Sequence, residues 1–262
     1  MAKQVLVTGS NGYIAHSLLK SNPKYDFTSK HTSQINVNGY DTVVHLAEKK
    51  LHNITADNID NLIADQKQFI DKITTQKLIY VSSCSVYGRQ DLCAEGTEHQ
   101  PTTNYAYLKS TLESYIANNV QNYTIIRFGT VFGVNENTRW DLLINKILWA
   151  KLNNQTIDLF DLHSYRPYIH VADCATALEF TIENNLTGIF NVASFNATKK
   201  EIIDTVQPNY ISINGTDARD YRVVADKIRQ QGFVFDYDLQ SGLEKSYSDL
   251  TQKTLVYNQQ FS

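Results

Sequence analysis

Short apolar runs alternate with stretches of helical periodicity along the first half of the chain. The runs are rich in β-branched and aliphatic residues and predict strands at 4–8, 25–29, 42–46, 78–82 and 123–128. Apolar residues that recur at helical spacing predict helices after residue 13, within 59–73 and over 105–120. Strands that alternate with helices of this length form a parallel sheet with helices on both faces.

The second half of the chain is less regular, which predicts a change in architecture after about residue 130. The apolar run 188–192 predicts one more strand, which returns to the parallel sheet. We therefore predict a Rossmann-type, doubly wound α/β domain over 1–130, completed by about 166–192. A smaller mixed α/β lobe would comprise 131–165 and 193–262. This lobe would lie over the carboxyl ends of the strands, where ligands bind in such folds.

Composition narrows the classes of function. Apolar residues make up 42% of the 262 residues and there are only four prolines, which predicts a sizeable core without long disordered linkers. The net charge is −3 and no basic run stands out, so we expect neither nucleic acid nor an anionic membrane as partner. The first strand follows Met1 directly and no apolar run reaches membrane-spanning length, which predicts a cytoplasmic protein. Cys84, Cys93 and Cys174 lack metal-ligand spacing, so we expect free thiols and no metal site.

A glycine-spaced turn, Thr8-Gly9-x-x-Gly12-x-x-Ala15, lies between the first strand and the first helix. Gly9 permits a sharp turn, Gly12 permits a diphosphate to approach the backbone, and Ala15 permits close packing of the helix on the sheet. The helix N-terminus adds unpaired N–H groups and partial positive charge. Any α/β domain can contain a Gly-rich turn, but this context favours dinucleotide binding. The cofactor-binding residues predicted from the turn are Gly9, Asn11, Gly12, Tyr13 and Ile14.

Groups suited to proton transfer follow the predicted fourth strand. Ser83 lies at the strand end, and Tyr105 and Lys109 lie on one face of the next helix. A tyrosine with an ordinary pKa of about 10 needs a neighbouring cation to exchange protons near neutral pH. Lys109 can supply that charge and hold ribose hydroxyls, while Ser83 can bond the reacting oxygen. The alternative is an exposed helical pair without a catalytic role.

Taken in order, these segments resemble the extended short-chain dehydrogenase/reductase family, in particular its NAD(P)-dependent sugar-nucleotide epimerase/dehydratase group. The resemblance extends over nearly the whole chain and rests on the segments 8–15, 44–47, 81–88, 105–109, 126–133, 166–173, 188–193 and 226–233. It implies that Tyr105 is the acid/base, that Lys109 binds ribose and tunes Tyr105, and that Ser83 contacts the reacting sugar oxygen. It also implies that Leu46 and Ala47 lie along the cofactor, and that two chains form a homodimer through the helix that carries Tyr105.

The end of the predicted second strand departs from the usual NAD pattern. An acidic residue commonly binds the adenosine ribose there, whereas this chain has Phe27-Thr28-Ser29-Lys30-His31. The hydroxyl of Ser29 and the ammonium of Lys30 suit a ribose 2′-phosphate, which favours NADP as cofactor, with NAD as the alternative. Lys30 could instead be a solvated surface charge. The short interval before Asp41 also predicts that a helix common at this place is missing.

The catalytic segment departs from the family pattern as well. Dehydratases of the group carry an Asp-Glu pair after the catalytic hydroxyl, and Cys84-Ser85 takes its place here, which disfavours dehydration. Cys84 could contact the substrate as a base if its pKa were lowered. A small buried cysteine is the interpretation we favour.

Cations in the second lobe are expected to bind the substrate diphosphate, because Gly129-Thr130 replaces an asparagine that often does so in this family. Arg166 fits this role by motif and Arg219 by approximate position. Arg219 could equally be a surface charge. The residues expected to be structural rather than catalytic are His45, His170 and Asp173.

The preferred hypothesis is NADPH-dependent reduction of a nucleoside-diphosphate 4-keto-6-deoxy sugar. Tyr105 would supply the proton while Ser83 steadies the developing alkoxide. The first alternative is a C4 epimerase of a nucleotide sugar, which the same motifs would serve. The second is a non-catalytic NADP-binding or redox-sensing protein, which the presence of Tyr105, Lys109 and Ser83 disfavours. Nucleotide-sugar metabolism, with polysaccharide biosynthesis, is the expected setting.

Overall fold

The structure, a computed structural model, describes residues 3–47, 54–74 and 76–260. Its strands are β1 (Val5–Thr8), β2 (Asp26–Thr28), β3 (Thr42–His45), β4 (Lys77–Ser83), β5 (Arg89–Cys93), β6 (Tyr123–Phe128), β7 (Thr130–Phe132), β8 (Thr156–Leu159), β9 (Tyr165–His170), β10 (Gly188–Val192), β11 (Phe195–Thr198), β12 (Asn209–Ser212) and β13 (Asp220–Val223). Its α-helices are α1 (Tyr13–Ser21), α2 (Ile59–Ile70), α3 (Asn104–Asn119), α4 (Leu143–Leu152), α5 (Val171–Glu183), α6 (Lys199–Val206), α7 (Asp226–Gln230) and α8 (Leu239–Gln260). Within the described part of the chain, no helix combines the length and the apolar character needed to cross a membrane.

The central sheet contains six parallel strands in the order β10-β6-β4-β3-β1-β2. The chain runs from β1 outward to β2, and then returns to the other side of β1 as β3. The order therefore reverses between β1 and β3, which is where ligands bind in doubly wound sheets. The prediction of such a sheet is confirmed. The segment 188–192 also returns to it, as β10 beside β6.

Alternate side chains of the strands enter two separate cores, one on each face of this sheet. In β1, Val5 and Val7 pack with α1 and α5, whereas Leu6 packs with α2 and α3. β1 and β3 are buried along their whole length. This double burial explains why both strands appear in the sequence as continuous apolar runs.

The connection between β2 and β3 is compact. Residues 29–41 are all described, and their helical structure is limited to a 3₁₀ turn at Thr32–Gln34. The structure therefore agrees with the missing helix that the short interval predicts. The strands β2 and β3 flank β1 directly, so this connection passes close to the carboxyl end of β1.

The second lobe is built mainly from residues after β6. β7, β9 and β11 form a three-stranded sheet, and β8 pairs in parallel with β12. Their apolar side chains meet those of α4, α6 and α8 in a separate core, which includes Phe132, Leu148 and Ile202. A further parallel pair joins β5 to β13.

One domain boundary differs from the expected position. β9 pairs with β7 and β11 instead of the central sheet, because Phe195 and Thr198 of β11 lie opposite Tyr168 and Tyr165. The segment that completes the Rossmann domain therefore begins with α5 near residue 171, and not near residue 166. α5 packs in the core shared with α1 and is followed by β10.

Candidate active site

The turn after β1 has the backbone conformation that its glycines permit. Gly9 has φ +75°, and a Cβ placed on it would lie 2.9 Å from both the Cα and the N of Ala47. The turn closes through a hydrogen bond of 2.8 Å from the Gly12 N–H to the Gly9 carbonyl. Two features therefore require glycine at position 9: the left-handed φ, and the close approach of the backbone after β3.

The N-terminus of α1 is arranged to receive an anion. α1 begins at Tyr13, and its cap residue Gly12 offers no side chain to the N–H groups of the first turn. Asn11 and Gly12 are exposed, while Ala15 is buried against the sheet. The backbone N–H groups of Tyr13 and Ile14 can therefore point to a diphosphate, with the positive end of the helix dipole behind them.

The side chain of Tyr13 does not take part in this arrangement. Its hydroxyl is buried, donates to the Gly133 carbonyl at 2.5 Å and accepts from Asn145 Nδ2 at 3.3 Å. Burial raises the pKa of Tyr13 well above its ordinary value. The prediction that Tyr13 binds the cofactor is therefore limited to its backbone, because the ring packs into the contact between the two lobes.

A neutral histidine joins the carboxyl ends of β1 and β3. Thr8 Oγ1 accepts the backbone N–H groups of Leu46 and Ala47, each at 3.2 Å, so its own hydrogen goes to His45 Nδ1 at 2.8 Å. His45 Nε2 then donates to Gln66 Oε1 at 2.5 Å. Burial lowers the pKa of His45 to about 4. His45 thus has a structural role, because it orients the Thr8 hydroxyl that holds Leu46 and Ala47 beside the glycine turn.

A pocket of about 180 Å³ lies at the carboxyl ends of β2 and β3. It is lined by Lys30, His31, Thr32, Ala47, Ile54, Leu62, Asp65, Gln66 and Leu108. Lys30 and Ala47 therefore line the same pocket, whereas the exposed Ser29 does not. Asp65 and Gln66 were missed by the sequence analysis. Their spacing from Leu62, three and four residues along α2, is the available signal that they share a helix face.

The predicted catalytic tyrosine and lysine lie close together. The Thr103 hydroxyl accepts the Ala106 N–H at 3.2 Å and so fixes the start of α3 directly before Tyr105. Lys109 Nζ lies 5.7 Å from the centroid of the Tyr105 ring. Lys109 is buried and donates to the Val81 carbonyl of β4 at 2.7 Å. The ammonium is therefore anchored to the strand that ends at Ser83.

Ser83 is the last residue of β4, and it is less buried than the strand residues before it. Its Oγ accepts the Ser85 N–H at 3.1 Å and caps the 3₁₀ turn Cys84–Tyr87. A hydroxyl that accepts one bond retains its own hydrogen as a donor. Ser83 is therefore half-buried at a strand end, with a donor available for a substrate oxygen.

The neighbouring Cys84 is unsuited to substrate contact or proton transfer. Its thiol is fully buried and donates to the Arg127 carbonyl at 3.2 Å. Burial raises the pKa of the thiol well above its ordinary value. We therefore correct the assignment of Cys84 to the substrate site, and the alternative of a small buried cysteine fits its position.

A cluster of cations lies in the second lobe. Asp217 Oδ2 accepts Arg166 Nη2 at 2.6 Å and Lys199 Nζ at 3.2 Å, while Arg219 Nε lies 3.5 Å from Asp217 Oδ1. Burial opposes the ionisation of Asp217, but the three cations together lower its pKa to about 2. Burial and the nearby Arg166 lower the pKa of Arg219. Three cations around one carboxylate leave positive charge in excess, and Asp161, which accepts the Asp217 N–H at 2.7 Å, offsets part of it.

The two predicted phosphate-binding arginines are therefore neighbours, with Arg166 Nε donating to the Arg219 carbonyl at 3.0 Å. Arg166 is buried and Arg219 is partly exposed. Lys199 and Asp217 were missed, because they lie on α6 and on the loop before β13 and carry no local motif. Only the folding of the lobe brings them to β9.

A buried ion pair that the sequence analysis missed lies one helical turn beyond Lys109. Glu113 follows Lys109 by one helical turn and accepts Arg127 Nη2 at 2.6 Å and Arg127 Nε at 2.9 Å. The Ser82 hydroxyl also donates to Glu113. This carboxylate therefore ties α3 to the ends of β4 and β6. The available signal was the spacing of Tyr105, Lys109 and Glu113, which puts all three on one face of a helix.

His170 and Asp173 have structural partners, in agreement with their expected role. His170 Nδ1 accepts the Ala172 N–H at the start of α5, and burial lowers its pKa to about 4. Asp173 accepts the N–H groups of Asp236 and Tyr237 at 3.0 and 3.3 Å. Burial raises the pKa of Asp173 to about 6. Asp173 thus fixes the segment before α8 against the start of α5, and His170 caps that helix start.

The family model described as "NAD dependent epimerase/dehydratase family" matches residues 21–193, about two thirds of the chain. Among solved structures, dTDP-glucose 4,6-dehydratase from Bacillus anthracis in complex with NAD is similar, with a TM-score of 0.80 and 17% identity over 96% of this chain and 97% of that one. UDP-glucuronic acid 4-epimerase from Bacillus cereus, in complex with UDP-glucuronic acid and NAD, has a TM-score of 0.80 and 18% identity over 95% and 99%. A NAD-dependent NDP-hexosamine 5,6-dehydratase of tunicamycin biosynthesis has a TM-score of 0.84 and 18% identity over 96% and 98%. At these identities the solved structures show a shared fold.

Proposed function

The chain belongs to the NAD-dependent epimerase/dehydratase family, and from that premise we propose that it reduces the C4 carbonyl of a nucleoside-diphosphate 4-keto-6-deoxy sugar with NADPH. The observation that carries the proposal is the position of Lys109, which lies beside the Tyr105 ring and is bonded to β4, the strand that ends at Ser83. Lys109 is fixed to β4 by its bond to Val81 and lies 5.7 Å from the Tyr105 ring. The same ends of the sheet carry the glycine turn.

The chain's residues divide the chemistry between them. Tyr105 delivers a proton to the substrate carbonyl oxygen, while a nicotinamide cofactor held at the glycine turn would supply the hydride to the carbonyl carbon, which gives an alcohol. Ser83 donates a hydrogen bond to that oxygen while its negative charge develops. Lys109 favours the phenolate that Tyr105 becomes, which solvent then reprotonates. The buried Cys84 in place of a dehydratase carboxylate supports reduction over loss of water.

The cation cluster of Arg166, Lys199 and Arg219 supports a diphosphate-bearing substrate. Its excess positive charge is costly in a largely buried position unless an anion neutralises it. A diphosphate carries the complementary charge, and the planar guanidinium of Arg219 can bind it through two parallel hydrogen bonds. We therefore assign the diphosphate of the sugar nucleotide to this cluster.

The preference for NADPH rests on Lys30, which lines the pocket at the end of β2. Replacing Lys30 with alanine should weaken NADPH binding about fivefold, because one charge-assisted bond to the 2′-phosphate is lost, and should leave NADH binding unchanged. Isothermal titration with both cofactors measures this, with Lys24→Ala, an exposed lysine before β2, as the control. If the substitution weakened the binding of NADPH and NADH equally, the assignment of Lys30 to the 2′-phosphate would be wrong.

C4 epimerisation with tightly held NAD is the second candidate. It is favoured by Asp65, whose carboxylate lines the same pocket as Lys30 and can accept the ribose hydroxyls of NAD. The similar UDP-glucuronic acid 4-epimerase was solved with NAD. In this scheme Tyr105 would first remove the proton from the C4 hydroxyl and later return it.

One experiment separates these functions. The purified protein is incubated with a panel of nucleotide sugars and their 4-keto forms, with and without NADPH, after its bound nucleotide has been analysed. A reductase consumes NADPH in a 1:1 ratio with the keto sugar. An epimerase retains NAD and converts sugars without added cofactor. Dinucleotide binding without turnover of any substrate would instead support the non-catalytic or redox-sensing alternative.

Assembly and setting remain predictions. We propose a homodimer paired through α3, whose outward side chains include Tyr107 and Ser114, and light scattering in solution measures it. A monomer would remove this proposal without affecting the chemistry. A cytoplasmic location and a place in polysaccharide biosynthesis likewise remain expectations from the sequence.

A further inference from the structure

The segment Gly133–Arg139, between β7 and α4, lies against the glycine turn and the first turns of α1. We call this segment the strap. It belongs to the substrate lobe, because β7 joins the three-stranded sheet and α4 packs in the lobe core. The strap therefore brings a part of the substrate lobe to the end of α1 that would bind the cofactor diphosphate.

The inner contact of the strap is a buried polar triangle. Tyr13 Oη donates to the Gly133 carbonyl at 2.5 Å and accepts Asn145 Nδ2 at 3.3 Å. Asn145 Oδ1 accepts the Gly133 N–H at 2.9 Å. Asn145 is fully buried and Tyr13 is nearly so. Because buried polar groups are costly to leave without partners, this triangle fixes Tyr13 relative to the strap.

Two asparagines of the strap bind the backbone on both sides of Gly12. Asn137 Nδ2 donates to the Asn11 carbonyl at 3.3 Å. Asn135 Nδ2 donates to the Tyr13 carbonyl at 2.9 Å and also reaches Ser17 Oγ at 2.9 Å. The residues that the strap holds are thus the direct neighbours of the glycine over which a diphosphate would lie.

The outer contact of the strap is exposed and contributes less. Glu136 accepts Lys20 Nζ at 2.6 Å and His16 Nε2 at 2.5 Å, but its side chain is 55% exposed. Ion pairs of this kind stabilise a protein weakly and are screened by salt. The asparagine bonds and the tyrosine triangle therefore carry most of the attachment.

We propose that the strap is a positioning device for the cofactor, in which Tyr13, Asn135 and Asn137 set dinucleotide affinity without their side chains touching the dinucleotide. The glycine turn is held on one side by β3, through the contact of Gly9 with Ala47. The strap holds it on the other side. The N–H groups of the first turn are then fixed before the diphosphate arrives, which lowers the entropy lost on binding.

The inference rests on the proposed function only in that a nicotinamide dinucleotide binds at this turn. The inference adds a link between the two lobes. Displacement of the substrate lobe would pull the strap away from the glycine turn and lower the affinity for the dinucleotide. The identity of the sugar substrate does not enter. A failure of the proposed reaction therefore leaves this inference open to its own test.

The test measures the Kd values of NAD(H) and NADP(H) for two variants of the strap contact. Tyr13→Phe removes one hydroxyl and keeps the ring, and Asn137→Ala removes the bond to Asn11 from a partly exposed position. Each should weaken dinucleotide binding about fivefold, the effect of one lost hydrogen bond. Matched controls are Tyr210→Phe and Asn118→Ala, both at exposed positions away from the strap, which should bind like the wild type.

A second measurement separates positioning from general destabilisation. Hydrogen exchange of the α1 backbone N–H groups should become faster in both strap variants, while UDP binding, which probes the cation cluster, should stay unchanged. Dinucleotide Kd values within twofold of the wild type in both strap variants would overturn the proposal. So would a wild-type protein that binds neither dinucleotide. Loss of dinucleotide binding in Asn137→Ala with intact thermal stability would support it even if Tyr13→Phe failed to fold.

Discussion

The glycine turn of the Rossmann domain and the cation cluster of the second lobe differ in what would bind a ligand. Around the glycine turn, the proposed cofactor site depends on backbone shape, and the nearby polar side chains of Thr8 and His45 are neutral and hydrogen-bonded within the protein. In the lobe, the proposed diphosphate site depends on charge, with Arg166 and Arg219 both lying close to Asp217. The first site should therefore respond to changes in backbone geometry, and the second to changes in charge and salt.

Replacing Tyr105 should change the ligand affinity of neither region. Replacement of Tyr105 with phenylalanine removes only the proton transfer, so turnover should fall by about two orders of magnitude or more, while dinucleotide and UDP affinities stay unchanged. Steady-state kinetics and titration measure both properties. Tyr210→Phe, at an exposed position in the lobe, is the matched control. A Tyr105→Phe variant with wild-type turnover would contradict the assigned role.

Gly9→Ala tests the shape-dependent site. The new Cβ would lie 2.9 Å from the Ala47 backbone at φ +75°, so the turn has to distort and dinucleotide affinity should fall more than about tenfold. UDP affinity should not change. Gly39→Ala is the control, because Gly39 also has a positive φ of +87° but no atom within 4 Å of the added Cβ. Equal effects of the two variants would show that the contact with Ala47 is unimportant.

Arg219→Gln tests the charge-dependent site. Loss of one guanidinium at a diphosphate should lower UDP affinity about tenfold and reduce its dependence on salt concentration, with dinucleotide affinity unchanged. Calorimetric titration with UDP at two ionic strengths measures this. Arg229→Gln, where the arginine forms an exposed pair with Asp226, should behave like the wild type. An unchanged UDP affinity in Arg219→Gln would return Arg219 to the alternative of a surface charge.

The strengths of the sequence analysis follow the same division between the regions. The strands, the glycine turn and the Tyr105–Lys109 pair depend on neighbours within a few residues, so spacing alone located them. The cation cluster was only half predicted, because Lys199 and Asp217 reach Arg166 through tertiary folding. The pair of Glu113 with Arg127 joins a helix to a strand and was missed for the same reason.

Side-chain direction was the other limit of the sequence. Tyr13 and Cys84 lie inside segments that match binding motifs, and yet both side chains point into buried contacts. A motif predicts the path of the backbone, but it does not predict the direction in which each side chain points. Asp65 shows the converse, since it lines the pocket at the ends of β2 and β3 from a helix that carries no motif.

Both regions should also lose stability when the pH falls, which is a smaller effect. His45 in the Rossmann domain and His170 in the lobe have their pKa values lowered by burial from 6.5 to about 4. Between pH 6.5 and 4 the unfolded chain therefore binds more protons at these two histidines than the folded protein does. The free energy of unfolding should fall as the pH drops through this window. Asp173 opposes this, because burial raises its pKa from 3.8 to about 6 and protonation then favours the folded state.

Two histidines against one carboxyl leave a net loss of stability on acidification, about 1.4 kcal/mol per pH unit for one net proton. Urea unfolding at pH 7, 6 and 5 measures this slope. A free energy of unfolding that stays constant or rises from pH 7 to pH 5 would contradict the assignment of both histidines as buried and neutral.

The central claim is that the protein transfers a hydride from NADPH to C4 of a sugar nucleotide, with Tyr105 as the proton donor. NADPH deuterated at C4 of the nicotinamide, mixed with a nucleoside-diphosphate 4-keto-6-deoxy sugar, tests it most directly. We predict one deuterium at C4 of the sugar product, formed in a 1:1 ratio with oxidised cofactor and lost in Tyr105→Phe. A sugar product without deuterium, or a reaction that leaves NADPH unconsumed, would contradict the account.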